Sequence, residues 1–243
     1  MIPKSHPRYI SLKTREKIVD GINKGITSMH GLIAHGRGEA FDYFIGEKTN
    51  DFAKSSIEAA AALLLTAKYP VISVNGNAAA LVPRELALLS KLIDAPLEIN
   101  IFHYSKERES KIRHHLFNHG AKNVLLPNKK NKIKFISSNR KHINPEGILK
   151  ADVVFVPLED GDRAEALIKN GRRVITIDLN PLSRTAKKAT VTIVDNIIRA
   201  MPLLINSINK FKEFNKNRLK KIIGDYNNKK FLNKAISCIH KSI

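Results

Sequence analysis

From Pro70 to Phe211 the chain alternates short β-branched and aliphatic runs with longer, charged segments of helical spacing, and this alternation limits its fold more than any other feature. Strands joined by helices cannot close as tight hairpins. They lie parallel, with the connecting helices packed on the faces of the sheet. Val71–Val74, Leu97–Phe102, Val124–Leu126, Asp152–Val156, Arg173–Ile177 and Thr190–Val194 read as strands. Between them, Pro83–Ile93, Ser105–Asn118 and a segment near Arg163–Lys169 read as helices, the first opened by a proline in its first turn. Ile197–Phe211 closes the series, with Pro202 a point of kinking or restart.

Two helices are expected upstream. Ser11–Lys24 places Ile18, Val19 and Ile22 at helical spacing, with Ser11 suited to cap and Gly25 to terminate it. Ser56–Lys68 is rich in alanine and leucine on several faces and therefore buried. The expected class is α/β: a Rossmann-like parallel sheet flanked by helices, with a helical N-terminal portion and a basic C-terminal helical tail. A single domain is expected, divided into residues 1–65, a core over 66–211, and the tail over 212–243.

Composition narrows the function classes. The formal charge is +20, which ordinarily suggests nucleic acid. Residues 103–150, however, hold 12 Lys/Arg against 3 Asp/Glu, and residues 208–243 hold 10 against 2, so all but +3 of the excess lies in two segments. It is mostly lysine mixed with asparagine and isoleucine, without the arginines interleaved with aromatics that a base-stacking surface needs. The longest apolar-rich run, Ile57–Ala67, is broken by Glu58 and too short to span a bilayer, and the N-terminus has no apolar signal region, so a cytoplasmic protein is expected. The single cysteine, Cys238, permits no intrachain disulfide and no multi-cysteine metal site.

In open α/β sheets ligands bind beyond the carboxyl ends of the strands. Four expected strands lead there into polar clusters: Asn75-Gly76-Asn77, His103, Glu159 through Arg163, and Asp178 through Thr185. One shared crevice accounts for all four. The acidic run Glu159, Asp160 and Asp162 suits Mg²⁺ or an amine, or else a turn in which Asp162 caps the next helix. Asn75 and Asn77 suit substrate amide contacts or a tight turn through Gly76. His103 suits a substrate contact or a structural hydrogen bond, whereas His114, His115 and His119 read as surface residues of a charged helix. Gly31 through Ala40 places glycines around Arg37, which fits either a phosphate cradle or an interhelical loop. Neither Walker A nor the dinucleotide glycine fingerprint is present, and no nucleophile–base pair stands out.

Ile2 through Tyr9, Arg15 through Val19, Gly31 through Gly46, Val71 through Ala80, Ala151 through Ala166, Ile177 through Thr185 and Ile193 through Pro202 together resemble the archaeal phosphopantothenate synthetases. The resemblance spans roughly positions 2 to 205; the stretch 128–142 and the tail beyond Lys210 carry none of it. It implies a homodimeric ligase of coenzyme A biosynthesis that uses ATP and Mg²⁺ to join 4-phosphopantoate to β-alanine. It further implies that ATP contacts fall on Arg15, Arg37, Asp178, Leu179, Asn180, Arg184, Thr185, Asn196 and Ile197. Strand-end position alone adds Asn75, Asn77 and His103 as substrate-binding candidates, and Asp160 and Arg163 beside Arg37 as catalytic ones. Two other classes stay open at this point: a nucleotide-responsive binding protein on the same fold, and a basic nucleic-acid binder.

Overall fold

The computed structural model describes residues 2–242. Three helices, α1 (Tyr9–Asn23), α2 (Met29–Phe44) and α3 (Asp51–Thr66), precede the first strand, β1 (Pro70–Val74). Then come α4 (Gly76–Leu81), α5 (Pro83–Leu92), β2 (Leu97–Ile99), α6 (Lys106–Asn118) and β3 (Val124–Leu125). An excursion carries β4 (Asn128–Lys132), a 3-10 turn at Asn139–Lys141 and β5 (His142–Ile143). The second half runs β6 (Val153–Pro157), α7 (Gly161–Lys169), β7 (Arg173–Ile177), α8 (Arg184–Lys188), β8 (Val191–Ile193) and α9 (Ile197–Phe211). The basic tail forms α10 (Lys216–Asp225) and α11 (Asn228–His240).

The main sheet has the order β3-β2-β1-β6-β7-β8. Its pairs are parallel, with Ile72 beside Leu97 and Val71 beside Val154 on the two sides of β1. With the β4–β5 hairpin set aside, this is the doubly wound order in which the chain starts at the centre and travels outward twice. The reversal falls between β1 and β6, where a crevice opens beyond the strand ends. The expected α/β class and helical tail are thus present. On one face, Ala59, Ala60, Ala61 and Ala62 of α3 are all buried, and their small side chains let α3 lie close to α9 and β8.

Several local expectations are corrected. The glycine-rich segment around Arg37 is neither cradle nor loop but the middle of α2. Gly31 serves packing: a Cβ there would meet Thr27 Oγ1 at 2.5 Å and Asn77 Oδ1 closer still, so only glycine lets α2 approach α4. Asn75-Gly76-Asn77 opens α4 rather than forming a tight turn. Asp160, not Asp162, caps α7, its Oδ1 accepting the Arg163 N–H at 2.9 Å. Ser11 lies inside α1, turned to Glu39, while Gly25 follows the last turn in the left-handed region at φ 69° as expected. Pro202 sits on the exposed side of an uninterrupted α9. The Leu97 strand stops at Ile99, α3 starts at Asp51 rather than Ser56, and the basic loop contains the β4–β5 hairpin.

Candidate active site

Two cavities share the crevice. The first, of about 400 Å³, is lined by Arg37 of α2, by Asp178, Leu179 and Asn180 after β7, by Arg184 and Thr185 of α8, and by Asn196 and Ile197 at the start of α9. The second, of about 420 Å³, is lined by Asn75, Asn77, His103, Arg108 and Arg140 together with Thr27 and His30. Arg37, Asn77, Leu158, Glu159 and Asp160 line both and form the seam between them. The residues expected to hold nucleotide therefore gather on one side and those expected to hold the other substrate on the other. Arg15 is the exception. It lies outside both cavities, with Nε 2.9 Å from Glu39 Oε2.

Asn75 ties the two central strands together at the seam. Its Oδ1 accepts the Ala78 N–H at 3.0 Å and caps α4, while its Nδ2 donates to the Leu158 carbonyl at 2.8 Å. Leu158 sits at φ 58°, a left-handed conformation that costs an ordinary side chain of order 1–3 kcal/mol and persists only where the surroundings hold it. Asn77 is spent on the framework as well: its Nδ2 donates to the Gly31 carbonyl at 2.8 Å and its Oδ1 accepts from Thr27 Oγ1 at 2.5 Å. Both asparagines shape the walls of the crevice.

Beneath the seam runs a buried ionic chain. Glu159 accepts Arg140 Nη2 at 2.8 Å and Arg163 Nη1 at 2.5 Å, and Arg140 Nη1 reaches both Glu159 and Asp160, the latter at 2.5 Å. Asn100 Oδ1 steadies Arg140 by accepting its Nε at 2.9 Å, and Ser73 Oγ accepts Arg163 Nη1 at 3.0 Å. Arg163 is 0 % exposed. It stands behind the wall, not in the crevice. Burial pushes the Asp160 carboxyl up, but the charge and hydrogen bond of Arg140 and the Arg163 N–H outweigh it and hold the group below the ordinary aspartate range. Asp178 goes the other way: burial raises it despite a hydrogen bond from the Ser183 hydroxyl, the Asn180 N–H and the nearby Arg37.

The cations differ in how far they are committed. Arg184 is bound to Asp162 and Glu165, with Nε 2.8 Å from Glu165 Oε2. Arg37 is exposed and makes no side-chain hydrogen bond or ion pair among the described residues. It is the free guanidinium at the seam. Asn196 caps α9 by accepting the Ile198 N–H at 3.1 Å and donates to Asp42 Oδ2 at 2.9 Å, so the mouth of the first cavity is fixed to α2.

The acidic run is consumed by arginines: Glu159 by Arg140 and Arg163, Asp160 by Arg140, Asp162 by Arg184. Among the described residues no three metal-ligating side chains come together. Nor does any serine, threonine or cysteine of the crevice bond to a histidine base among them; the Ser183 and Thr185 hydroxyls go to Asp178 and to the Glu159 carbonyl. Sequence reasoning missed Arg108, Arg140, His30 and His35. Arg140 arrives in the lysine-rich excursion that carries no motif, and nothing local marks it apart from its neighbours.

A doubly wound parallel sheet, a crevice at its switch point and a free guanidinium between two polar cavities define an α/β protein of the Rossmann-like class with a divided polar crevice. The sequence model of the family described as phosphopantothenate/pantothenate synthetase matches residues 52–242, and the chain belongs to that family. It is 50% identical over 236 residues to a 4-phosphopantoate--beta-alanine ligase of Thermococcus kodakarensis, covering 97% of this chain and 90% of the relative. A ligase of the same name from Methanosarcina mazei is 48% identical over 242 residues, covering 100% of this chain and 95% of the relative.

Proposed function

We propose that this chain is an ATP-dependent ligase that condenses 4-phosphopantoate with β-alanine to 4'-phosphopantothenate, releasing AMP and diphosphate, in coenzyme A biosynthesis. The observation that carries the reading is the pair of cavities meeting at Arg37 and Asp160, in a chain about half identical to ligases of that name along nearly its whole length. A carboxylate and an amine do not condense in water because the carboxylate oxygen is a poor leaving group. Adenylation converts that oxygen into part of AMP.

ATP occupies the first cavity, with Asp178 and Asn180 toward the ribose or base and Leu179 and Ile197 as apolar walls. Arg184 and Thr185 face the phosphates, and Arg184 exchanges its contacts with Asp162 and Glu165 for them. Phosphopantoate takes the second cavity, where His103 and Arg108 receive its phosphate and hydroxyl while Asn75, Asn77 and Arg140, held by the framework, shape the walls around it. Its carboxylate then reaches the α-phosphate across the seam, where Arg37 neutralises the charge that develops. Asp160 faces the amine that later attacks the acyl-adenylate. Arg163 acts from behind by holding Glu159 in place. Mg²⁺ arrives as the counter-ion of the nucleotide. Arg15, remote from the crevice of its own chain, has a place in the site through the partner of a homodimer; the exposed Ile10, Met29 and Ile33 on α1 and α2 support such a pairing. The three sequence parts act as one cytosolic ligase unit, with core packing continuous from Ile18 of α1 to Leu219 of α10; among the described residues no helix is long and apolar enough to cross a membrane.

The test is direct. With ATP, Mg²⁺, 4-phosphopantoate and β-alanine, the protein forms AMP and 4'-phosphopantothenate in equal amounts, and unphosphorylated pantoate is a poor replacement. Tight ATP binding with no AMP in the complete mixture would sink the proposal.

A further inference from the structure

A third cavity, of about 540 Å³, lies between the segment preceding Arg140 and the outer face of α7. Among the described residues Asp160 alone lines all three. Three cavities converging on one carboxylate match a reaction with three substrates. We infer that β-alanine binds in this third cavity, its ammonium on Asp160 and its carboxylate between Lys169 and Ser138. The inference rests on the ligase reading above.

Charge separates the third cavity from the second. Arg37 and Arg108 face the second without an ion-pair partner among the described residues, whereas its carboxylates Glu159 and Asp160 are held by Arg140 and Arg163, so a phosphate dianion is favoured there. The third holds Asp160, Asp162 and Glu165 against Lys169 and Arg184, which disfavours a dianion and accepts a zwitterion. Ser138 supplies the second observation. It lines this cavity, and its buried Oγ has no hydrogen-bond partner. A buried hydroxyl without a partner is rare in a folded chain and points to a ligand that completes it. Two exposed rings, Phe102 (55% exposed) and Phe135 (64% exposed), flank the opening and offer apolar surface to the two methylenes.

Asp160 can serve both framework and ligand. Its Oδ1 caps α7 and its Oδ2 takes Arg140, yet its side chain is 38% exposed, and each oxygen has a further lone pair. In the second half-reaction the nitrogen lone pair of β-alanine attacks the acyl carbon of the adenylate. The N–C bond forms and the C–O bond to AMP breaks, its electron pair staying on the AMP oxygen. The ammonium sheds one proton before attack and the nitrogen one after it, both to solvent through the open cavity.

Ser138→Ala and Lys169→Ala test the placement, since both positions lie outside the core and neither change introduces bulk. The two half-reactions are read separately: exchange of labelled diphosphate into ATP with 4-phosphopantoate and no β-alanine, then steady-state ligation across β-alanine concentrations. Each variant is expected to raise the KM for β-alanine about tenfold, the worth of one lost charge-assisted partner, with exchange kept within about twofold. An unmoved KM in both variants overturns the β-alanine placement alone, as does exchange that falls in step with ligation. Absence of exchange in the unaltered protein overturns the ligase reading, and the placement with it.

Discussion

Glu159→Gln removes one negative charge from the buried chain beneath the seam, and its cost can be worked from the partners left behind. Arg140 keeps Asp160, whereas Arg163 keeps only Ser73 Oγ at 3.0 Å and already has Nε and Nη2 without partners. The new amide also turns donors toward two guanidinium groups that are themselves donors only. Removing one member of a buried pair costs about 3–5 kcal/mol, because the remaining charge stays in the interior unpaired. For a chain of 243 residues each kcal/mol moves Tm by about 2–4 °C, so the midpoint should fall by about 6–20 °C. Differential scanning calorimetry measures the shift, and urea titration the free energy. The same logic predicts that Arg163→Met added to Glu159→Gln yields a protein more stable than Glu159→Gln alone, since the stranded charge is gone. A midpoint within about 2 °C of the parent, or strictly additive losses in the double variant, would refute the reasoning.

Arg37→Ala should lower turnover by on the order of 10²-fold, the scale of a lost transition-state charge partner, while leaving Tm in place because the Arg37 side chain makes no hydrogen bond or ion pair among the described residues; near-normal steady-state kinetics would remove it from the seam. Glu98, fully buried, accepts the Asn144 and Ile148 N–H groups at 3.0 and 2.6 Å, yet burial pushes its carboxyl up from 4.5 to about 7. Because the folded state holds that proton more tightly than the unfolded, the stability it contributes is full below pH 4.5 and is lost as pH rises through about 7. Urea titrations should therefore show the parent losing on the order of 3 kcal/mol more than Glu98→Gln across that window, and parallel curves would contradict the assignment.

How much could be seen in advance depended on how local the cause was. Arg173–Ile177 and Ile197–Phe211 were legible to the residue because each is a β-branched run, or an apolar stripe, bounded by polar turns. The four strand-end clusters were legible through one topological rule, and they do converge on one crevice. Helix α2 was not, since Gly31, Gly36 and Gly38 look like breakers. What makes Gly31 acceptable is contact with Thr27 and Asn77, a tertiary fact that propensity does not contain. Arg140 stayed hidden for a related reason. It is held by Asn100 and Glu159, 40 residues before and 19 after it, and no pattern within its lysine-rich surroundings encodes that grip. The positive charge was legible by its distribution rather than its quantity. Its bulk lies in the excursion and the tail, while the crevice uses only a few arginines.

Asp160 caps the start of one helix, clamps one arginine and faces every cavity of the crevice. A residue with that many duties leaves evolution few neutral neighbours. Serine and asparagine would keep the helix start at little cost and give up the charge; alanine would give up both, with about 1 kcal/mol lost from the cap alone. On the proposed placement of β-alanine, substitutions at this position separate into those that spoil the reaction in a folded protein and those that also loosen α7. The same placement leaves a change of amine substrate to the residues that line only one cavity each.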